Sequence, residues 1–221
     1  MNTSTTPSIS PRVAPEALAR AAAEGEARLQ HTASWRPAIV LGLGSLLLGG
    51  ALYAAAGTGL ARLAFPVQSD GSLIVDADGR VRGSALLAQP FTGDGWFQPR
   101  PSAAGHDPMA AAGSNMARSN PALARRVADA TAAVALREGI APAQVPADLV
   151  TQSGSGLDPH LSPAAVQVQV RRVAQARGLS EAELQAIVQA HVEGPQWGVF
   201  GQPRVNVMKL NRALESAAHA R

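Results

Sequence analysis

Cysteine is absent from the 221-residue chain. Its absence excludes disulfide bonds, thiolate metal sites and a cysteine nucleophile, and it is compatible with both the cytosol and the bacterial periplasm. The chain also lacks a block of basic residues, since 19 Lys and Arg stand against 16 Asp and Glu and the two signs alternate. An interface for nucleic acid is therefore not expected.

Known nucleotide-binding and catalytic motifs are missing too. No Gly-Lys-Ser/Thr follows a strand-like run, so no P-loop is predicted, and the five histidines show no metalloprotease spacing. Ser155 lies in Ser-Gly-Ser-Gly-Leu, which departs from the Gly-x-Ser-x-Gly pattern of hydrolases. Asp158 and His160 are a possible pair of cation ligands, but two ligands on one loop are weak support for a metal site. We therefore expect no catalytic residue, no metal site and no tightly bound cofactor.

A long uncharged run occurs once, at residues 37–61. A helix of about 20 apolar residues crosses a hydrocarbon core of roughly 30 Å, so this run is long enough to span a membrane. The sequence predicts three parts: an N-terminal tail at 1–36, a single transmembrane helix at 37–64 and a folded domain at 65–221.

The tail is predicted to have two parts. Residues 1–15 are rich in Ser, Thr and Pro and are expected to be disordered. Residues 16–31 have the composition of a helix, which Gly25 is expected to interrupt.

A cleaved signal peptide is the alternative to an uncleaved anchor. The segment before the apolar run is long and contains Glu16, Glu24 and Glu26, and the run continues past the alanines at 54–56 where cleavage would fall. Both features favour an anchor. Lys and Arg are nearly balanced on its two sides, so the positive-inside rule decides little, but a short tail before a long domain favours a cytoplasmic N-terminus.

Small residues recur within the apolar run. Ser45 and Gly49 form one small-xxx-small pair, and Gly50 and Ala54 form another. Such pairs let helix backbones approach closely in lipid, although glycine is also common in membrane helices generally. We predict that Ser45, Gly49 and Gly50 pack against a partner helix.

The domain after the run is predicted to be α+β. A turn at Asp78-Gly79 between β-rich runs at 72–76 and 80–84 predicts a hairpin. Residues 98–120 are predicted to be a long irregular segment, and later N-caps, prolines and glycines mark helix ends. These signals predict about four helices, at 121–137, 163–177, 181–191 and 209–217, and two short strands, at 148–152 and 205–208.

Three polar, Gly-rich strings remain, at 100–103, 113–121 and 151–160. Their Gly, Asn, Asp, Ser and Pro residues are typical of tight turns, so bracing of the domain explains most of them. The functional alternative is a rigid surface on which a partner docks. The residues predicted to be critical for folding or docking are Arg100, Asn115, Asn120, Ser153, Ser155, Asp158 and His160.

These strings, in this order after one N-terminal span, resemble the C subunit of the Kdp-type potassium-transporting P-type ATPase. The resemblance covers roughly residues 37–215, and the longest matching string is Ser-Gly-Ser-Gly-Leu-Asp-Pro-His at 153–160. The chain departs from the family at Ala88, at 116–118 and in its longer tail. Other matching strings are Trp96-Phe97, Arg100-Pro101-Ser102-Ala103, Gly113-Ser114-Asn115, Ser119-Asn120-Pro121, Asp148-Leu149-Val150-Thr151, Arg172-Val173-Ala174, Pro203-Arg204-Val205-Asn206 and Leu210-Asn211.

The resemblance implies a non-catalytic subunit of an ATP-driven potassium importer in the bacterial inner membrane. Its implied partners are a channel-like potassium-binding subunit and a P-type ATPase subunit, and the resemblance leaves room for a small membrane subunit. It implies that the subunit stabilises the assembly, raises the ATP affinity of the catalytic subunit as a catalytic chaperone, or assists K⁺ entry at the outer pore mouth. ATP and K⁺ would act on the assembled complex rather than bind tightly to this chain.

Two further hypotheses concern individual residues. The acids Asp94, Asp107 and Asp158 are predicted to concentrate K⁺ near a pore mouth. The alternative function is a membrane-anchored periplasmic hydrolase that uses Ser155, Asp158 and His160, although catalytic partners normally converge from distant segments rather than from one loop.

Overall fold

The computed structural model describes residues 14–31, 35–76 and 78–219. The chain divides into two units, Met1–Ala64 and Phe65–Arg221. Residues 1–13, most of the stretch predicted to be disordered, lie outside the described residues.

The first unit consists of helices. Helix α1 is Pro15–His31, and Gly25 does not interrupt it, so that prediction is wrong. The apolar run forms one continuous helix over Trp35–Ala64, in which a π-helical segment at Leu46–Leu52 separates α2 (Trp35–Ser45) from α3 (Tyr53–Ala64). None of its residues is buried, so its apolar side chains are accessible all round, as in a membrane-spanning helix.

The second unit begins with the predicted hairpin. After a single helical turn, α4 (Pro66–Ser69), strand β1 (Leu73–Val75) pairs with β2 (Val81–Ser84) in antiparallel register. The Asp76 carboxylate holds the turn, because its Oδ1 accepts hydrogen bonds from the backbone N–H of Asp78 at 3.1 Å and of Arg80 at 2.8 Å.

Five longer elements and a small sheet complete the second unit. The helices are α5 (Pro121–Glu138), α6 (Pro163–Gln167), α7 (Val170–Arg177), α8 (Glu181–Ala190) and α9 (Val207–His219). Strands β3 (His160–Leu161), β4 (Val192–Glu193) and β5 (Arg204–Asn206) form an antiparallel sheet with β5 in the centre. This mixture confirms the predicted α+β class.

The helix boundaries follow the predicted caps. The Asn120 Oδ1 accepts from Ala122 N at 2.9 Å to begin α5, and Gly139 ends it with φ +65°. Ser162 Oγ accepts from Ala165 N at 3.2 Å before α6. Ser180 and Glu183 make the expected reciprocal capping box before α8.

Three predictions on elements are wrong. Residues 148–152 are not a strand, since the chain forms a 3₁₀ turn at Ala147–Leu149. The helix predicted at 163–177 is broken at Val168 and Gln169. Strand β5 ends at Asn206, because the Asn206 Oδ1 accepts from Lys209 N at 3.1 Å and starts α9 two residues earlier than predicted.

The core of the second unit lies where α5 to α9 meet the sheet. Its members are aliphatic side chains together with one fully buried aromatic ring, that of Phe97. The largest fully buried side chains include Phe97, Leu161, Leu184, Met208, Leu210 and Leu214.

Two buried amide side chains position the irregular segment that carries Phe97. The Asn211 side chain accepts from Phe97 N at 3.0 Å and donates to Phe97 O at 2.9 Å. Gln169 makes the same pair of bonds to Gln98, at 2.8 and 3.2 Å. We call these two pairs the amide clamps. They replace a strand partner for a backbone that would otherwise be buried with unpaired polar groups.

Candidate functional site

The three polar strings of the sequence converge in the structure. We call residues 100–106, 112–120 and 151–160 together the loop cluster. The backbone N–H of Ser153 donates to Pro101 O at 3.2 Å. A Cβ on Gly113 would lie 2.7 Å from the Gly154 carbonyl oxygen, so the second string passes directly over the third.

Arg100 bridges the cluster. Its Nη1 donates to Asp158 Oδ2 at 3.1 Å, and its Nη2 donates to Thr151 Oγ1 at 3.4 Å and to Gln152 O at 3.5 Å. The side chains of Arg100 and Asp158 are 26% and 33% exposed, so the ion pair is only partly accessible to solvent. One guanidinium thus fixes both ends of the 151–158 loop, as the planar five-donor geometry of arginine permits.

The second carboxylate oxygen of Asp158 contacts His160. The Asp158 Oδ1 accepts from His160 N at 3.0 Å and lies 3.2 Å from His160 Nδ1. Partial burial acts to raise the pKa of Asp158, but the hydrogen bonds from His160 and Arg100 outweigh it and hold this pKa below the usual range of a carboxyl. Asp158 therefore carries a compensated charge within a turn, which leaves little of it for attracting K⁺.

The two serines of the loop support its backbone. Ser153 is buried, and its Oγ accepts from Asp158 N at 3.5 Å. Ser155 is exposed, and its Oγ accepts from Leu157 N at 3.1 Å. The hydrogen bonds between described side chains include none from Ser155 to His160, so the pairing of nucleophile and base that a hydrolase needs finds no support in the geometry.

The two asparagines act differently from each other. Asn115 lies in the second string with φ +48°, a left-handed conformation that asparagine tolerates. Asn120 caps α5, which accounts for its side chain without a partner protein. Arg126, on α5, ties that helix to the cluster by donating to Gln152 Oε1 at 2.6 Å.

Sequence reasoning missed two acids that hold neighbouring segments of the domain in place. Asp148 accepts from Ser162 N at 2.7 Å. Burial acts to raise its pKa, but the hydrogen bonds from Ser162 lower it below the usual range. Glu138 is fully buried and pairs with Arg172 at 2.9 Å. A glutamate at the end of an amphipathic helix gives no signal of burial, because its partner is 34 residues away.

The other predicted residues lie outside the loop cluster, in local turns or in the apolar helix. Asp107 Oδ1 caps a 3₁₀ turn by accepting from Met109 N at 2.8 Å, and Asp94 is an exposed residue whose carbonyl accepts from Arg172. In the first unit, Gly49 and Gly50 lie inside the π-helical segment and Ser45 immediately precedes it. Groups of three or more His, Asp or Glu placed to hold a metal ion do not occur among the described residues.

Among the described residues, the chain combines one candidate transmembrane helix with a domain whose loop surface is held by hydrogen bonds and an ion pair. The chain belongs to the KdpC family: the family model described as the c chain of the K⁺-transporting ATPase matches residues 35–216. The resemblance noted in the sequence is thereby confirmed.

Relatives agree with this assignment. The potassium-transporting ATPase KdpC subunit of Xanthomonas campestris pv. campestris (strain B100) is 56% identical over 189 residues, which cover 86% of this chain and 90% of the relative. The subunit of the same name from Pseudomonas putida (strain F1) is 50% identical over 191 residues, covering 86% of this chain and all of the relative. These relatives carry the name of a subunit of the transport ATPase, which supports a complex subunit rather than a catalytic chain.

Proposed function

We propose that this chain is the accessory subunit of an ATP-driven potassium importer, and that its loop cluster docks on a partner subunit and stabilises the assembly. The observation that carries the proposal is the Arg100 bridge. Arg100 and Asp158 fix two of the three loops of the cluster against each other while both side chains stay partly exposed. A surface whose shape is set before binding loses little conformational entropy when it docks.

The anchoring arrangement is part of the proposal. The apolar helix crosses the bacterial inner membrane once through residues 37–64, with residues 1–36 in the cytoplasm and residues 65–221 in the periplasm. The partners are a channel-like potassium-binding subunit and a P-type ATPase subunit, with a small membrane subunit as a further candidate. Ser45, Gly49 and Gly50 pack on a partner helix, which the π-helical segment around them supports, since π-helical turns are frequent at functional sites.

The proposed effect on ATP follows from this arrangement. A periplasmic domain does not reach cytosolic ATP, so an increase in ATP affinity is a coupling between distant sites. The chain itself then binds no cofactor tightly. A role at the outer pore mouth is the second mode of action, with Asp94 and Asp107 as the acids left to attract K⁺.

Assembly tests the docking surface. Tagged wild-type chain and the variant Arg100→Ala are purified from membranes that hold the other subunits. The Arg125→Ala variant is the matched control, because it removes an exposed arginine on α5 outside the cluster. We expect the Arg100 variant to recover less of the P-type ATPase subunit at equal expression, and the Arg125 variant to recover as much as wild type. Equal recovery from all three would contradict docking through the cluster.

Kinetics separates the two modes of action. Assembled complexes carrying Arg100→Lys, or the pair Asp94→Asn and Asp107→Asn, are assayed for ATPase activity against ATP and against K⁺. Coupling to the catalytic subunit predicts a higher KM for ATP in the Arg100 variant. A role in K⁺ entry predicts a higher K⁺ requirement in the double variant. An unchanged K⁺ requirement removes the role of the two acids.

Topology is testable because the chain has no cysteine of its own. Single cysteines at Met109, which is 92% exposed, and at Thr5 are treated with a membrane-impermeant maleimide in spheroplasts. Labelling at 109 but not at 5 supports the proposed orientation, and the reverse pattern overturns it.

A separate experiment tests the packing of the helix. Replacement of Ser45, Gly49 and Gly50 by Leu should weaken assembly while insertion is retained; unaffected assembly would make the helix an anchor only.

A further inference from the structure

The connection between β4 and β5 is a rigid β-turn structure with an apolar end. Gln196 and Phe200 exchange two backbone hydrogen bonds, at 2.7 and 2.9 Å. Two further backbone bonds hold the turn: Gly198 N donates to Pro195 O at 3.0 Å, and Val199 N donates to Gln196 O at 3.2 Å. We call residues 195–201 the aromatic tip. Its backbone is held by its own hydrogen bonds, so its side chains are presented in one arrangement.

The aromatic tip exposes three large apolar side chains. Trp197, Val199 and Phe200 are 84%, 77% and 61% exposed, and the two rings meet edge to face with centroids 6.0 Å apart. Trp197 has φ +54°, a conformation that is unfavourable for a bulky residue. The chain therefore holds an exposed tryptophan in place at a conformational cost, whereas apolar residues of a folded domain normally bury against the core.

The charges around the tip favour a lipid surface as its partner. Residues 194–202 contain no charged side chain. Glu193 and Arg204 flank the tip and form an ion pair at 3.2 Å, and Glu193 also pairs with Lys209 at 3.0 Å. An uncharged end that carries Trp and Phe above a polar base has the composition of the aromatic belts found at membrane–water interfaces.

The base of the tip lies near the start of the domain. Glu193 and Arg204 line a cavity of about 490 Å³ together with Val67 and Gln68. Val67 is three residues beyond Ala64, where the apolar helix ends, and three residues span at most about 11 Å of extended chain. The base of the tip thus lies on the side of the domain that carries the first residues after the apolar helix.

We propose that the aromatic tip inserts Trp197, Val199 and Phe200 into the interfacial region of the bilayer that holds the chain's own helix. The domain then has two attachments to the membrane, the covalent one at Ala64 and the tip. Two attachments restrict how the domain tilts and so present the loop cluster in a narrower range of directions. This inference rests on the proposed membrane span.

The depth of the tip is measurable by spin labelling of the full chain. A single cysteine replaces Val199 in one variant and Leu136 in the control; Leu136 is 86% exposed on α5. Each labelled chain is reconstituted in liposomes of phosphatidylethanolamine and phosphatidylglycerol, and the collision rates of the label with oxygen and with a water-soluble nickel chelate are compared. We expect a ratio of oxygen to nickel collisions several-fold higher at 199 than at 136.

A second measurement leaves Val199 in place. Lipids brominated near the ester region quench tryptophans that contact them, and wild type is compared with Trp197→Phe. We expect the wild type to lose a larger share of its emission than the variant, in which Trp35 and Trp96 remain. Circular dichroism spectra that match confirm that both chains are folded.

Each outcome decides between the two proposals. Equal nickel access at 199 and 136 in a chain that floats with the liposomes overturns the insertion of the tip and leaves the membrane span intact. A chain that does not float overturns both. Protection of 199 from both reagents that arises only when the other subunits are present also overturns lipid insertion and assigns the tip to a protein contact.

Discussion

The helix Trp35–Ala64 and the domain Phe65–Arg221 use the same aliphatic side chains in opposite ways. Leu46, Leu47 and Leu48 are each more than 60% exposed, whereas Leu184, Leu210 and Leu214 are at most 1% exposed. In water, apolar groups gain from being removed from the solvent, so the domain buries them in its core. The helix buries none of its residues within the chain, and its exposed apolar surface makes it a candidate to span a membrane.

The two regions also differ in how the N–H and C=O groups of their backbones find hydrogen-bond partners. A helix pairs its own N–H and C=O groups, which is why it can cross lipid. The domain contains a long irregular segment whose buried backbone depends on the side chains of Gln169 and Asn211, which are far away along the chain. Loss of a single buried polar side chain should therefore damage the domain severely, whereas gain of a single charge should damage the helix severely.

The largest expected effect is the loss of an amide clamp. Asn211→Ala leaves the buried N–H and C=O of Phe97 without their partners, at about 1–3 kcal/mol for each unsatisfied group. We expect the free energy of unfolding, measured by denaturant titration of the full chain in detergent, to fall by about 2–6 kcal/mol. Gln175→Ala, an exposed amide on α7, should change it by less than about 0.5 kcal/mol. Similar losses from both would show that the clamp contributes little.

The next effect concerns a charge in each region. Leu47 and Leu136 are both exposed, and an arginine at the centre of a membrane helix costs about 3 kcal/mol. Leu47→Arg should therefore increase the fraction of chain released by alkaline carbonate, while Leu136→Arg should remain with the membrane like wild type. If the two variants behave alike, the environments of the two leucines do not differ as proposed.

A backbone change tests the close packing of the loop cluster. Gly156 has φ +74°, and a Cβ there would lie 2.8 Å from Ala112 O. Gly156→Ala should destabilise the domain by about 1–3 kcal/mol. Gly154→Ala is the matched control, since nothing lies within 4 Å of a Cβ at that position. Equal thermal unfolding temperatures for the two variants would contradict the close packing.

The smallest effect is the dependence of domain stability on pH. Asp148 and Asp158 have pKa values lowered by the fold, so the unfolded chain binds protons more readily than the folded one. Their contribution is complete above the ordinary carboxyl range and is lost as pH falls through the lowered values. Denaturant midpoints measured between about pH 5 and pH 2 should fall less steeply for Asp148→Asn with Asp158→Asn than for wild type. Identical slopes would show that these two groups do not cause the acid sensitivity.

Local signals predicted much of this fold, and nonlocal contacts account for what they missed. The cap at Asn120, the capping box of Ser180 and Glu183 and the hairpin turn at Asp78-Gly79 depend on neighbours within a few residues, and all three occur as predicted. The break between α6 and α7 was missed because the Gln169 side chain accepts a hydrogen bond from the backbone of Gln98, which is 71 residues away. The β3 and β4 strands have two residues each, too few for a periodic pattern.

The candidate site was predicted in its members but not in its arrangement. The sequence indicated Arg100, Ser153 and Asp158 through turn chemistry and the family resemblance. It did not indicate that Arg100 reaches Asp158, that Arg126 reaches Gln152, or that Asp148 holds Ser162. The aromatic tip was also missed, because an isolated Trp-Gly-Val-Phe string looks the same whether its rings are buried or exposed.

The apolar helix, the helix caps and the family can all be predicted from the sequence, because each depends on residue type and spacing along the chain. Which polar groups are buried together and which apolar groups remain exposed is visible only in the folded structure. Those outcomes depend on distances between residues far apart in sequence, such as Phe97 and Asn211, and on the exposure of Trp197 at the end of a turn. Neither these distances nor this exposure can be predicted from residue spacing along the chain.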